Sequence, residues 1–306
     1  MPEVLVDLPE DLDDGDSLAD WAEAVCILEE REGISRTELK RRLGDVGDSD
    51  VAIALLAEQV GSRALRAPNS YPFARTEAGI GRNRAASGIV YEFLLWASWA
   101  QAPVRVGRSY REIDRFFDRI VLKAVCACLG PRTRGVRFGT PASDDRPTGF
   151  ADALVWLGDL MDVEATGSLP ANDNKNDAGV DVIAWLAFAD RRSDFVTAIA
   201  QCTFRSDWTV KAAETAAAAT LWGGGWLATG MEPVTFLAVP FCVQATDARF
   251  PELRQLVNVI LDRVRLCELV SEPYEDDVAD LTAWISSQRD GMRLPAAAPK
   301  GAVPKD

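Results

Sequence analysis

Histidine is missing altogether from the 306 residues. That absence removes the Ser-His-Asp and Cys-His pairs, His-ligated zinc and any histidine general base. Lysine is scarce, standing only at positions 40, 123, 175, 211, 300 and 305, so 27 of the 33 basic residues are arginine, the better fork for phosphate. Six cysteines (26, 126, 128, 202, 242 and 267) include no C-x-x-C pair. A zinc ribbon is therefore unsupported, and Cys126 and Cys128 read as core thiols suited to a reducing compartment. No G-x-x-x-x-G-K-S/T run occurs, which argues against an intrinsic ATPase. The amino-terminal MPEVLVDLPEDLDDGD has no basic n-region, so a cytoplasmic protein without a secretory signal is expected. Long apolar runs are few. The longest, Ala85 to Val104, carries Glu92 at its middle, and an acid there costs about 2.5–3.5 kcal/mol on insertion scales. The expectation is a buried core helix and no membrane, with Glu92 a salt-bridged core acid in preference to a site residue.

The chemistries that survive use carboxylates, lysine, arginine, hydroxyls, thiols or a metal held by oxygen and activating water. A net charge of −14 disfavours indiscriminate coating of nucleic acid but leaves room for a local arginine-lined groove. The stretch Lys175 to Lys211 organises the chain. Val180 to Phe188 and Phe195 to Phe204 are rich in β-branched and aromatic residues around a polar link, Ala189 to Asp194, which predicts two adjacent strands. Alternation puts Asp181, Ile183 and Trp185 on one face, and Gln201 with Thr203 on one face of the next strand. Asp181 and Gln201 are expected to meet at one edge, and a carboxylate among buried neighbours needs a partner or a metal. Ser206 or Asp207 then caps a helix that carries Lys211 in its first turn.

Gly179-Val180-Asp181 followed by Gln201-Cys202-Thr203 resembles the G-x-D and Q-x-K elements of the PD-(D/E)XK restriction-endonuclease-like superfamily, in particular its Mrr-like members. Thr203 stands where the lysine belongs. Of the lysines near the hairpin, Lys175 and Lys211, the second is preferred, because Trp208-Thr209-Val210-Lys211 looks like the W-x-x-K of a bacterial subgroup associated with defence against phage. Phe116-Phe117-Asp118-Arg119 looks like the helix that opens the nuclease core, with Asp118 in place of its glutamate, and Val136 to Pro141 looks like the turn that follows. The resemblance spans residues 112 to 245 and is specific in 175 to 211. It implies an α/β restriction-endonuclease-like fold, a mixed central sheet flanked by helices, and metal-dependent hydrolysis of DNA phosphodiester bonds. Asp181, Gln201 and Asp118 would hold Mg²⁺ or Mn²⁺, and Lys211 would orient the attacking water or stabilise the transition state. The other reading is a catalytically degenerate nuclease fold that binds DNA or a defence-system partner protein. Thr203, the single firm acid and the negative charge favour it. Lys211 discriminates the two: aimed at Asp181 and Gln201 it supports the enzyme, aimed at solvent the binding module. A homo-oligomer is left open.

Along the chain, residues 1–16 read as an acidic lead-in, 17–108 as a helical region, 109–290 as the nuclease-like domain and 291–306 as a low-complexity tail. Within 17–108, Ser35 with Glu38 makes a capping box, and helices followed by a turn-rich ribbon give the order of a winged-helix module; a helical cap is the equal alternative. Arg36, Lys40, Arg41 and Arg42 read as a solvated helix face rather than a DNA reader. Tyr110 to Leu129 is a helix with an apolar stripe, and Asp118 lies off the stripe's centre, so solvent exposure competes with metal ligation. Phe150 to Met161 is a further helix, and Asp162 to Asn176 a surface loop whose acids Asp162 and Glu164 are taken as loop acids. Gly223 to Gly225 reads as a turn, Val234 to Val243 as a central parallel strand, and Pro251 to Leu269 and Asp276 to Gln288 as closing helices. Trp185, Trp208, Trp222 and Trp226 read as core rather than as stacking platforms for bases.

Overall fold

A computed structural model describes residues 4–44, 48–99, 108–140, 145–166, 178–190, 192, 194–205, 207–229, 231–244 and 247–295. The protein is mixed α/β, and among the described residues no helix is long and apolar enough to cross a membrane. The chain divides into two compact units, one formed by 1–65, 72–84 and 282–306, the other by 66–71 and 85–281.

In the first unit, strand β1 (Val4–Leu5) precedes helix α1 (Gly15–Leu28), β2 (Gly33–Ser35), α2 (Arg36–Leu43), α3 (Ser49–Arg66) and a hairpin of β3 (Phe73–Thr76) and β4 (Gly79–Arg82). The three-stranded sheet is antiparallel, in the order β2-β4-β3. Asp14 starts α1 by accepting from the main-chain N–H groups of Asp16 and Ser17, which satisfies donors the first turn leaves without partners. Ser35 caps α2 as expected, its Oγ accepting from Glu38 N–H at 3.2 Å. Glu38 does not reach back to close the box. Its carboxylate instead accepts from Arg41 and Arg42 at 2.6–2.8 Å. The basic run is thus neutralised in place, since Arg36 and Lys40 both lie 2.6 Å from Asp50 and Arg42 is 2.7 Å from Glu29.

The two guanidiniums, Arg41 foremost, hold the Glu38 carboxyl down at about 2, against an ordinary value of 4.5. A carboxyl lowered in the folded state stabilises above its unfolded value and loses that contribution as pH falls through the folded one. The pairs that Glu38 makes with Arg41 and Arg42 are therefore expected to persist to about pH 2. Acid titration of stability followed by circular dichroism should show this dependence removed in Glu38→Gln.

The second unit begins its helices with α4 (Ile89–Trp99), which is buried along most of its length, as the apolar run predicts. Glu92 is a core acid there, accepting from Trp96 Nε1 at 2.8 Å. Helix α5 (Arg108–Leu129) leads to β5 (Thr133–Arg137) and α6 (Phe150–Met161). The predicted hairpin forms from β6 (Val182–Leu186) and β7 (Thr197–Cys202), antiparallel, with Val182 opposite Ala200. Helix α7 (Trp208–Leu221) and β8 (Val234–Ala238) follow, β8 lying parallel to β7. Asp207 precedes α7 without a side-chain capping bond, and Ser206 lies outside the described residues. Gly223 to Gly225 is not a simple turn: Trp222–Trp226 is a π-helical segment continuing α7.

Pro251 to Leu269 is not one helix. It divides into α8 (Phe250–Leu256), strand β9 (Val259–Leu261) and α9 (Arg263–Leu269). Asn258 locks β9 in place, its Oδ1 accepting from both N–H and Oγ1–H of Thr235 on β8, at 2.8 and 2.9 Å. The sheet order is β5-β6-β7-β8-β9, antiparallel across β5-β6-β7 and parallel across β7-β8-β9. The chain continues with α10 (Val278–Gly291) and returns to the first unit with β10 (Met292–Arg293), which pairs there in parallel with β1.

Alternation along β6 and β7 gives the sheet two different faces. Ile183, Trp185 and Ile199 pack with Leu154 and Leu157 of α6 and with Trp222 and Trp226 in one apolar cluster. The opposite face is made of small residues, Val182, Ala184, Ala198 and Ala200, over which α5 passes. Gly135 permits that approach: a Cβ there would stand 2.7 Å from Leu122 of α5 and 2.8 Å from the Ile183 carbonyl oxygen.

Candidate metal centre

The same alternation decides what each end of the hairpin presents. Cys202 follows Ala198 and Ala200 on the face under α5, whereas Gln201 follows Ile199 on the face under α7. Asp181 sits where β6 leaves the ladder. Its N–H donates to Ala200 O at 2.9 Å, and its carbonyl accepts from Phe138 and Gly139 N–H at 2.7 and 3.0 Å. With the backbone pinned on both sides, the carboxylate replaces the missing ladder acceptor, Oδ2 taking the N–H of Cys202 at 2.7 Å.

One turn-face of α5 brings Asp118 to the same spot. The carboxylates of Asp118 and Asp181 and the sulfur of Cys202 lie within 4.8 Å of one another. Asp118 is 5% exposed, so the solvent-facing alternative is overturned: Arg137, reaching over from β5, covers it and donates from Nε to its Oδ2 at 3.0 Å. Burial, then the charge of Asp181, pushes the Asp118 carboxyl well above the ordinary aspartate value; the Arg137 guanidinium opposes them without prevailing. Burial likewise raises the Cys202 thiol, and Asp118 and Asp181 add to it. The two acids thus lie close together, with the Arg137 guanidinium bonded to Asp118.

Gln201 on β7 and Lys211 on α7 belong to a second group. Gln201 Oε1 accepts from Thr215 Oγ1 at 2.9 Å, its amide nitrogen is 3.5 Å from Glu214, and Lys211 is ion-paired to that same Glu214. The Lys211 side chain is 23% exposed, so it is directed at a neighbouring acid and only partly at solvent. Gly179 abuts this group, the position of a Cβ there falling 3.7 Å from the Gln201 amide nitrogen. Thr203 is buried, and its Oγ1 accepts from Arg205 N–H at 3.2 Å. Lys175 lies outside the described residues, as does Pro141 of the expected turn. Trp185, Trp208, Trp222 and Trp226 are all buried, as core residues should be.

Cys202 and Arg137 are the site residues sequence reasoning passed over. Cys202 enters the sequence reading only as the middle residue of Gln201-Cys202-Thr203, although its place two residues beyond Ala200 on a predicted strand puts it on the small-residue face. Arg137 was read only as part of a turn. Among the other thiols, Cys128 is exposed rather than a core residue, because it falls at the end of α5.

Gly139 makes the Asp181 geometry possible. A Cβ there would come within 2.7 Å of Asp181 Oδ1 and 3.1 Å of its Cα. Gly139→Ala should therefore push the carboxylate out of place and cost about 1–3 kcal/mol, the usual range for overpacking. Thermal unfolding together with Mn²⁺ titration will report both effects; a variant as stable and as cation-responsive as the wild type contradicts this role.

Compared with known proteins, the chain matches no family model, no curated protein and no solved structure.

Proposed function

We propose that the protein is a divalent-cation-dependent nuclease that hydrolyses DNA phosphodiester bonds, on a restriction-endonuclease-like arrangement of the PD-(D/E)XK kind. The carrying observation is the convergence of Asp118 and Asp181 from two separate elements, with their ligand atoms and that of Cys202 within 4.8 Å. The donor set fits a cation on its own chemistry: two carboxyls and a thiol lie within ligand distance of one another, and Gly139 leaves the flank of Asp181 Oδ1 without a side chain. Asp118 and Asp181 would hold the ion. A bound divalent cation supplies an acidified water and neutralises charge on the phosphate.

The remaining roles fall to the chain itself. Cys202 N–H orients Asp181, and Arg137 holds Asp118 against the sheet. Thr203 has no ammonium to offer, so Lys211, placed by α7 beside Gln201 and Glu214, is the cation available to meet the phosphate. In the first unit, the element order and the β2-β4-β3 sheet support a winged-helix reading. The basic side chains of α2 are paired with Asp50, Glu38 and Glu29, so we assign α2 no DNA contact. A role in bacterial defence against phage is what the sequence resemblance implies.

A second reading, a degenerate fold that binds DNA or a partner without cutting, is favoured by one observation: Arg137 already supplies a positive charge to Asp118. Incubating the protein with single-stranded, double-stranded and supercoiled DNA, with and without Mg²⁺ or Mn²⁺, separates the two. Cation-dependent cleavage supports the enzyme; cation-independent retention without cleavage supports the binding module.

A further inference from the structure

The donor set beneath α5 is not all oxygen. Mg²⁺ requires near-octahedral oxygen coordination and is a poor partner for sulfur, whereas thiolate ligands select softer or borderline ions. Cys202 is half-buried with its sulfur beside both carboxylates. It is also anchored there: its main-chain N–H is tied to Asp181 Oδ2 at 2.7 Å, so thiol and carboxylate are held by one backbone position. Its neighbours on the same strand face, Ala198 and Ala200, are too small to compete for the space between α5 and the sheet. The carbonyl-bearing Gln201, which would add an oxygen, faces α7 and has already accepted the hydroxyl of Thr215.

We propose that Cys202 is the specificity-determining residue of this centre, completing an oxygen-sulfur donor set that takes a borderline divalent cation of the Co²⁺ to Zn²⁺ series in preference to Mg²⁺. The inference rests on the reading of Asp118 and Asp181 as cation-holding residues. On binding, a sulfur-metal bond forms and the thiol proton passes to solvent; no oxidation state changes.

The test is a titration of the full chain with Co²⁺ under a non-thiol reductant, read by thiolate-to-metal charge-transfer absorption, with calorimetry for Mg²⁺ and Zn²⁺. The expected result is a band that saturates at one equivalent, is displaced by Zn²⁺, survives a large excess of Mg²⁺ and is absent in Cys202→Ser. That variant should lose Zn²⁺ affinity by at least about tenfold, the lower end of what perturbing a metal site costs, and keep its Mg²⁺ affinity. A band that persists in Cys202→Ser belongs to another cysteine and overturns the proposal. So does a Cys202→Ser variant that keeps its full Zn²⁺ affinity while cation binding still needs Asp118 and Asp181, an outcome that leaves the nuclease reading standing. Failure of both Mg²⁺ and Co²⁺ to bind removes the two together.

Discussion

Asp181→Asn is expected to abolish cation-dependent DNA cleavage while leaving the protein folded. Asp181 occupies a position that three parts of the chain converge on: the segment after β5 through the N–H groups of Phe138 and Gly139, β7 through Cys202, and α5 through Asp118. An asparagine there preserves the side-chain oxygen for the Cys202 N–H but removes the charge that the cation requires. The loss should exceed the roughly 10- to 100-fold that follows deletion of an outer-shell partner, because a ligand itself is lost. Stability should move the other way. Asp181 raises the Asp118 carboxyl by its charge, so neutralising it relieves a repulsion, and Asp181→Asn is expected to unfold at a temperature no lower than the wild type in cation-free buffer. Cleavage rates and thermal unfolding on the same preparation check both halves. A variant that cuts as well as the wild type removes Asp181 from the site.

Arg63→Met is expected to have the largest effect on stability, and in the first unit. Arg63 is 1% exposed and holds three acids at once: Asp16 and Asp20 at 2.7 Å and Glu23 at 2.9 Å, with Glu23 fully buried. Those acids all lie on α1, so the guanidinium clamps α3 to α1. Removing one partner of a buried ion pair costs about 3–5 kcal/mol, because the charge left behind has no compensation. Against a domain stability of about 5–15 kcal/mol, that brings the unit close to unfolding. Glu23→Gln added to Arg63→Met should recover part of the loss by removing the most deeply buried of the orphaned charges. Chemical denaturation followed through Trp21 of α1, itself buried, gives the measurement. A loss below about 1 kcal/mol, the scale of a surface pair, contradicts the clamp.

The hairpin was legible because its two strands are short runs of β-branched and aromatic residues around a charged link, and both the pairing and the parallel strand at Val234 follow from that pattern. Helix α6 was legible for a similar reason, its apolar spacing running without interruption from Phe150 to Met161. Strand β9 was not. Three residues, Val259 to Leu261, are too few to break the helical periodicity on either side, and what makes them a strand is the bond from Asn258 to Thr235, a partner 23 residues away. The exposure alternative weighed for Asp118 failed for a related reason: its distance from the centre of the α5 stripe speaks of that helix alone, while its burial comes with Arg137 on another element. Cys202 carried a local signal, its register with Ala198 and Ala200, but between Gln201 and Thr203 it reads only as the variable middle residue of a motif. Pattern along one element could locate the acids; it could not say which face of the sheet each would share.

The central claim is that Asp118 and Asp181 together hold a divalent cation. Anomalous diffraction from crystals soaked in Mn²⁺ tests it most directly. The account predicts a single strong peak between the two carboxylates and adjacent to Cys202 Sγ, with Arg137 drawn away from Asp118. Crystals that take up Mn²⁺ elsewhere, with Arg137 still bonded to Asp118 and no peak at the pair, would contradict it.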